Sequence, residues 1–333
     1  MRVRVHTPAK VNLSLEVLWR RPDGFHELET VMTGVSVFDT LEFVPHDAGD
    51  IQLTVRWAAG LAARAVREGM QRAGMQERGG EQDTPYGDLP TGPENIVWRA
   101  ADRLRERAGI SQGGLIHLIK RIPAAAGLGG ASSDAAAILI AANVGWGLHW
   151  PVERLAEVAA EIGSDVPFFL RGRCAICRGR GEQIESVSAR RLHVVLVRPP
   201  VGLSTPAVYR QCRPGGSPGC SAGLASALAQ GNPALIGKRL ENRLQQPASL
   251  LTPWIDQLKT EFDRLDCVGH QMSGSGSTYF GLGRHARHAR RLASQLRGRV
   301  LDGRSIGAVY VAETNGSMTP PLCSDGAKAS DCP

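Results

Sequence analysis

Apolar and polar residues alternate along the first part of the chain. In "VRVHTPAKVNLSLEV" (3–17) the apolar positions bracket Lys10, Asn12, Ser14 and Glu16, which is the two-residue period of a half-buried strand. Pro22-Asp23-Gly24 then supplies turn chemistry, and residues 1–57 as a whole read as strands and turns. The period changes at "ENIVWRAADRLRERAG" (94–109), where Ile96, Ala100, Leu104 and Ala108 fall on one face of a helix. A short Ile- and Leu-rich run, "GLIHLIKRI" (114–122), predicts a strand, and an alanine-rich run from Asp134 to Asn143 predicts a helix. "PVERLAEVAAEIG" predicts another helix, stopped at Gly163.

"RLHVVLVRPP" (191–200) predicts a strand that opens a second unit. Helical patterns follow at 204–211, 233–244 and 253–265, then a glycine-rich hairpin, a helix near 285–297 and a last strand in "IGAVYVA". Strands framing helices in this order suit a ferredoxin-like α+β module. Two stretches break the pattern. Residues 58–93 read as an insertion, helical to about Gln76 and flexible beyond, and 313–333 read as a disordered tail. The expected division is therefore 1–190, 191–312 and the tail.

The most particular stretch is "IPAAAGLGGASSDAAAILIAAN" (122–143). It runs strand, glycine loop, helix start, with Ser132 or Ser133 placed to cap the helix and Asp134 in its first turn. Unpaired N–H groups at the positive end of a helix make an anion site, and Gly127, Gly129 and Gly130 allow close approach of a ligand. The dinucleotide pattern G-x-G-x-x-G fails because Ser132 follows Ala131, and the Walker A pattern fails because no lysine follows the glycines.

Composition adds bounds. The 333 residues suit two domains, and 42% hydrophobic residues suffice for a real core. No run of 18 apolar residues occurs, and "MRVRVHTPAK" has no apolar signal region. Seven cysteines without a signal sequence suggest a reducing cytoplasm. Cys174 and Cys177 form a single C-x-x-C in a strand-like run, which favours packing over zinc. The charge of +7 raises nucleic-acid binding, but aromatics are only 5% and the basic residues are dispersed. Only 5 lysines stand against 34 arginines, so Lys10 marks a place where a compact, tunable ammonium is wanted.

The loop "PAAAGLGGASSDAA" resembles the phosphate loop of the GHMP kinases. Within that superfamily, "PAKVNLSL" followed by "RPDGFH" resembles the 4-diphosphocytidyl-2-C-methyl-D-erythritol kinases. "EIGSDVPFFLRG" (161–172), "GLSTPAVYR" (202–210) and "QMSGSGSTYFGL" (271–282) are similar to further motifs of that family, in its order. The resemblance implies an α+β, two-domain GHMP kinase fold, with a ribosomal-protein-S5-domain-2-like N-terminal domain and a ferredoxin-like C-terminal domain. It implies a cytoplasmic enzyme that uses ATP and Mg²⁺ to phosphorylate the 2-hydroxyl of a cytidine diphosphate-linked methylerythritol in isoprenoid precursor synthesis. The implied partner is that small molecule, with no nucleic acid and no membrane, for a monomer or homodimer.

Residue by residue, Lys10 and Asp165 match the family's catalytic pair. Pro123, Ala124, Ala125, Ala126, Gly127, Leu128, Gly129, Gly130, Ala131, Ser132 and Ser133 match the ATP loop, with a serine hydroxyl, assigned to Ser133, near the metal. Asn12, Phe25, His26 and Tyr209 match the substrate side: His26 on the cytosine edge, Phe25 by its ring, Tyr209 a second stacking candidate. Gly274, Ser275 and Gly276 form the glycine turn near the site. Without the family, Lys10 also reads as a solvated strand lysine and Asp165 as a helix cap ahead of Pro167. The chain departs from the family at Phe25, where Tyr is common, and at Asn242-Arg243-Leu244, where the family often has Asn-Asp-Leu. Two other classes remain open here: a GHMP kinase for another alcohol, and a non-enzymatic nucleic-acid-binding protein.

Overall fold

The computed structural model describes residues 1–59, 61, 89–219 and 221–323. Most of the expected insertion at 58–93 lies outside the described residues, and all of 324–333 does. Two long antiparallel strands, β1 (Val3–Arg20) and β2 (His26–His46), form the frame of the larger sheet. On its far side β2 pairs with β4 (Gly113–Lys120), which lies parallel to β3 (Ile51–Trp57). Near its start β2 also pairs with β5 (Cys174–Gly179), which continues into β6 (Gln183–Ser186). Register shifts in the β1–β2 ladder between Pro8 and Ala9 and between Asn12 and Ser14 bend β1 where the candidate residues Lys10 and Asn12 sit.

Helices α1 (Ile96–Ala108), α2 (Gly130–Gly145), α3 (Val152–Ile162) and α4 (Val166–Arg171) cover this sheet. The sequence explains their ends. Asn95 accepts the N–H of Val97 and caps α1, and Gly109, at φ 65°, terminates it. The apolar face of α1 is carried by Val97, Ala100, Ala101 and Leu104, all buried. Helix α2 is apolar nearly all round, with Ala135 through Leu139 fully buried, as a helix between sheet and helices must be.

The second sheet is antiparallel, with β7 (His193–Arg198) at its centre. The first helices after it are α5 (Thr205–Gln211), α6 (Ser221–Gln230) and α7 (Pro233–Gly237). Next come β8 (Glu241–Asn242), α8 (Gln245–Ser249) and α9 (Trp254–Asp263). The chain then adds β9 (His270–Met272), β10 (Tyr279–Gly283), α10 (Ala286–Leu296), a small β11–β12 hairpin (Val300–Leu301, Arg304–Ser305) and β13 (Ala308–Glu313). The sheet order is β13-β7-β10-β9, and its helices make it the expected ferredoxin-like module.

Three features differ from the sequence reading. Helix α6 was not expected. The helical pattern expected over 233–244 ends at Gly237, where an added Cβ would lie 2.2 Å from the carbonyl of Val268. The chain then becomes β8, parallel to β1 at Ser14 and Leu15. The segment expected to be a disordered tail contributes β14 (Leu322–Cys323), which pairs with Val3 and Arg4, while the N–H of Thr319 donates to His6 O at 3.0 Å. The larger sheet thus draws β8 and β14 from beyond residue 191, and the cores are shared too, with Ala9, Val11 and Leu13 of β1 packing in one cluster with Val194 and Leu196 of β7.

Candidate active site

A cavity of about 1040 Å³ lies where β1, the 123–129 loop, α4, α5 and the glycine turn converge. Its phosphate end is built from the loop. The carbonyls of Ala125, Ala126, Gly127 and Leu128 face the protein, accepting from Leu203 N, Thr278 N, Ser273 Oγ and Lys10 N respectively. Among the described residues, no N–H from Ala124 to Ser132 donates to a protein acceptor. A row of free N–H groups at a helix start is an anion cradle. Two positions require glycine. At Gly127 (φ 71°) a Cβ would stand 2.1 Å from Ser273 O, and at Gly129 (φ 66°) it would meet Lys10 Cγ at 2.9 Å.

The start of α2 corrects one expectation. The helix begins at Gly130 with Gly129 as its cap, and no side chain caps it. Ser133, assigned to the metal, therefore falls in the first turn on the buried face. Its hydroxyl is fully buried and donates to Pro8 O at 2.6 Å, with Thr7 Oγ1 beside it. Ser133 is turned away from the cavity, and of the two loop serines Ser132 lines it. Pro123 and Ala126 also line the cavity, with Ala124, Ala125, Leu128, Gly130 and Ala131 completing the loop's wall.

Lys10 projects from β1 into the centre. Its Nζ donates to Asn12 Oδ1 at 2.6 Å and lies 3.6 Å from Asp165 Oδ2. Asn12 is held in turn, donating through Nδ2 to Thr30 Oγ1 at 2.8 Å. The Lys10 side chain is 6% exposed, so it is not a solvated strand lysine. Asp165 occupies the cap position of α4, yet its carboxylate makes no cap hydrogen bond. That leaves its oxygens to the cavity.

The other end carries the rings. His26 is the first residue of β2, and its ring stacks on Tyr209 of α5 at 5.2 Å between centroids and 28° between planes. Burial and the nearby Arg20 hold the His26 imidazole below its ordinary pKa. Burial pushes the Tyr209 phenol well up. Phe25, after the Pro22-Asp23-Gly24 turn, is 51% exposed, with the Arg180 guanidinium 5.1 Å from its ring centroid. Arg20, Arg180 and Arg210 line this end and give it positive charge.

The glycine turn closes the floor. Gly274 and Ser275 line the cavity, and Ser275 Oγ and Thr205 Oγ1 are 2.7 Å apart. Gly276 (φ 88°) lies behind, where a Cβ would meet Met272 Sδ at 2.8 Å. Asn242, in the Asn-Arg-Leu stretch that departs from the family and not among the expected site residues, pins this turn by donating to Met272 O at 2.8 Å and Gly274 O at 2.9 Å. Arg243 instead pairs with Glu16 at 2.6 Å. A further cluster was also missed: Lys120, Asp39 and Asp134 are buried together beside the loop. The scarcity of lysine, which singles out Lys10, singles out Lys120 as well.

Cys174 and Cys177 sit in β5, both buried, and burial pushes the Cys174 thiol up to about 12. No group of three or more metal-ligating side chains occurs among the described residues, and no helix there is long and apolar enough to cross a membrane.

Comparison with known proteins bears on the fold and the family. Residues 95–173 match the GHMP kinases N terminal domain and 224–301 the GHMP kinases C terminal domain. A 4-diphosphocytidyl-2-C-methyl-D-erythritol kinase of Pelotomaculum thermopropionicum is 40% identical over 87% of this chain and 92% of its own. One of Geobacillus thermodenitrificans is 37% identical over 90% and 94%. A crystal structure of 4-(cytidine 5'-diphospho)-2C-methyl-D-erythritol kinase aligns with TM-score 0.71 at 33% identity, over 94% of this chain and all of that one, 100%. A homoserine kinase from Cytophaga hutchinsonii shares the fold at TM-score 0.71 and 21% identity.

Proposed function

The chain belongs to the 4-diphosphocytidyl-2-C-methyl-D-erythritol kinases, a branch of the GHMP kinases, and from that premise we propose how its residues carry out the reaction. The γ-phosphoryl group of ATP passes to the 2-hydroxyl of 4-diphosphocytidyl-2-C-methyl-D-erythritol, a step of isoprenoid precursor synthesis, in the cytoplasm. The observation that carries this assignment is the position of Lys10 and Asp165, 3.6 Å apart, in one cavity between the free N–H row and the His26–Tyr209 rings.

Phosphoryl transfer leaves the protein little beyond positioning and charge stabilisation. The N–H groups of 124–132 receive the ATP phosphates. Asp165, with carboxylate oxygens not spent on capping, orients the acceptor hydroxyl and takes its proton as the oxygen bonds to the γ-phosphorus. The bond from that phosphorus to the β–γ bridging oxygen breaks, and ADP leaves. Lys10, oriented by Asn12, neutralises charge between carboxylate and phosphoryl group. His26 and Tyr209, with Phe25 at the rim, receive the cytosine, and Arg20, Arg180 and Arg210 face the substrate's diphosphate.

Mg²⁺ takes oxygen ligands and keeps phosphate and water oxygens around it. Ser132 lines the cavity while Ser133 is turned onto Pro8, so the Ser132 hydroxyl, not that of Ser133, suits an ion that arrives with ATP. When bound, the ion neutralises charge across the phosphates.

The test is ADP release from MgATP on adding 4-diphosphocytidyl-2-C-methyl-D-erythritol, with homoserine and mevalonate as controls. Turnover with the cytidylyl substrate alone is the expected result. Turnover with a control alcohol instead would overturn the substrate assignment.

A further inference from the structure

Three charged side chains meet beneath the phosphate loop. Lys120 closes β4, immediately before the loop, and its Nζ donates to Asp134 Oδ2 at 2.5 Å and to Asp39 Oδ2. Asp39, on β2, also accepts the N–H of Arg121 and, at 2.9 Å, that of Ile122. Asp134 lies in the first turn of α2, just after the loop. The cluster therefore ties the residues that enter the loop to the helix that leaves it. All three side chains are at most 5% exposed.

The ammonium also touches the loop itself. A Cβ added at Gly130 would lie 3.3 Å from Lys120 Nζ and 2.9 Å from Ile122 Cγ2, so the first residue of α2 rests against the lysine end. Both Lys120 and Asp134 line the cavity. Charge matters as well as shape. Two carboxylates beneath an anion cradle would repel phosphates, and the ammonium between them offsets that repulsion.

We propose that Lys120 is a positioning residue for ATP, acting through Asp134 and Asp39 to hold the two ends of the phosphate loop in register. The proposal rests on the assignment of the 123–133 loop to ATP. Loss of the tether lets the first turn of α2 shift, and the free N–H groups lose their common aim. Misplacement of that kind, behind the reacting groups, weakens function on the order of tenfold to a hundredfold. The cytidine end shares none of these contacts and stays unaffected.

The experiment compares Asp134→Ala, Asp134→Asn and Lys120→Met with the wild-type enzyme. Folding is checked by thermal melting, ADP affinity by calorimetry with and without Mg²⁺, and KM for each substrate by kinetics. Asp134→Ala keeps the Lys120–Asp39 pair and its backbone bonds, so it remains informative even where Lys120→Met fails to fold. In Asp134→Ala, ADP affinity is expected to fall and KM for ATP to rise about tenfold or more, with KM for the cytidylyl substrate unchanged. Asp134→Asn, which can still accept from Lys120, is expected to restore most of the affinity. A folded Asp134→Ala variant with wild-type ADP affinity overturns the proposal. A loss seen only with Mg²⁺ assigns Asp134 to the metal and overturns it too. Wild-type enzyme that fails to bind ADP at all would instead overturn the ATP-loop assignment on which it rests.

Discussion

Lys10 Nζ and Asp165 Oδ2 face each other at 3.6 Å, the lysine almost wholly buried and the carboxylate side chain 34% exposed. The asymmetry suits their tasks. The lysine is fixed by Asn12 and fixes charge, while the aspartate is open to an incoming hydroxyl. Lys10→Ala and Asp165→Asn are each expected to lower kcat on the order of 10²–10³, as for loss of one electrostatic stabiliser. Steady-state kinetics on folded variants checks this, and near wild-type kcat in either one removes that residue from the chemistry.

Gly129 couples the loop to that pair. Its backbone is left-handed at φ 66°, and a side chain there would strike Lys10 and Phe169. Gly129→Val is therefore expected to weaken ATP binding and lower kcat together, where Lys10→Ala lowers mainly kcat. Nucleotide titration beside turnover separates the two patterns. Unchanged nucleotide affinity in folded Gly129→Val would take the loop out of the ATP site.

The parts of the site most legible in the sequence are those carried by contiguous residues. The loop, the strand holding Lys10 and the turn before Phe25 each declare themselves through local geometry, by glycine, alternation and Pro-Asp-Gly. Helix phase was less legible. Placing the helix start at Asp134 rather than Gly130 left Ser133 facing the ligand, whereas the observed start turns it onto Pro8. The role of Asn242 was hidden for a different reason. Its role depends on β8 lying beside β1, a pairing across more than two hundred residues that no local pattern encodes. The strand at Leu322–Cys323 is hidden in the same way, because its partner edge at Val3 lies at the far end of the chain.

The paired cysteines give a negative control. Cys174 and Cys177 are buried in β5, with thiols held up by desolvation rather than lowered toward thiolate. Treatment of the native protein with a zinc chelator is expected to leave both melting temperature and activity unchanged. A drop in either would show a metal at this pair.

His26 sets the expected substrate and pH dependence. Its ring stacks on Tyr209 at the end of the cavity away from the loop, so His26→Ala acts on one substrate only. KM for the cytidylyl substrate is expected to rise with KM for ATP unchanged. Loss of a hydrogen-bonded base edge costs roughly 1–3 kcal/mol, or about ten- to a hundredfold in kcat/KM. Phe25→Tyr is expected to be tolerated, because the ring face at the rim is kept. The pH dependence follows from the lowered pKa of His26, caused first by burial and then by Arg20. A lowered value means the imidazole is neutral at pH 7, with one donor and one acceptor nitrogen to match a cytosine edge. Protonation removes the acceptor, and here it requires more acid than for a free histidine. KM for the cytidylyl substrate is thus expected to stay flat as pH falls to about 6.5 and to rise only below it. In His26→Gln, which does not titrate, that rise is expected to vanish. A rise that persists in His26→Gln would place the titrating group elsewhere, and a His26 variant that loses ATP affinity would move this end of the cavity to the nucleotide.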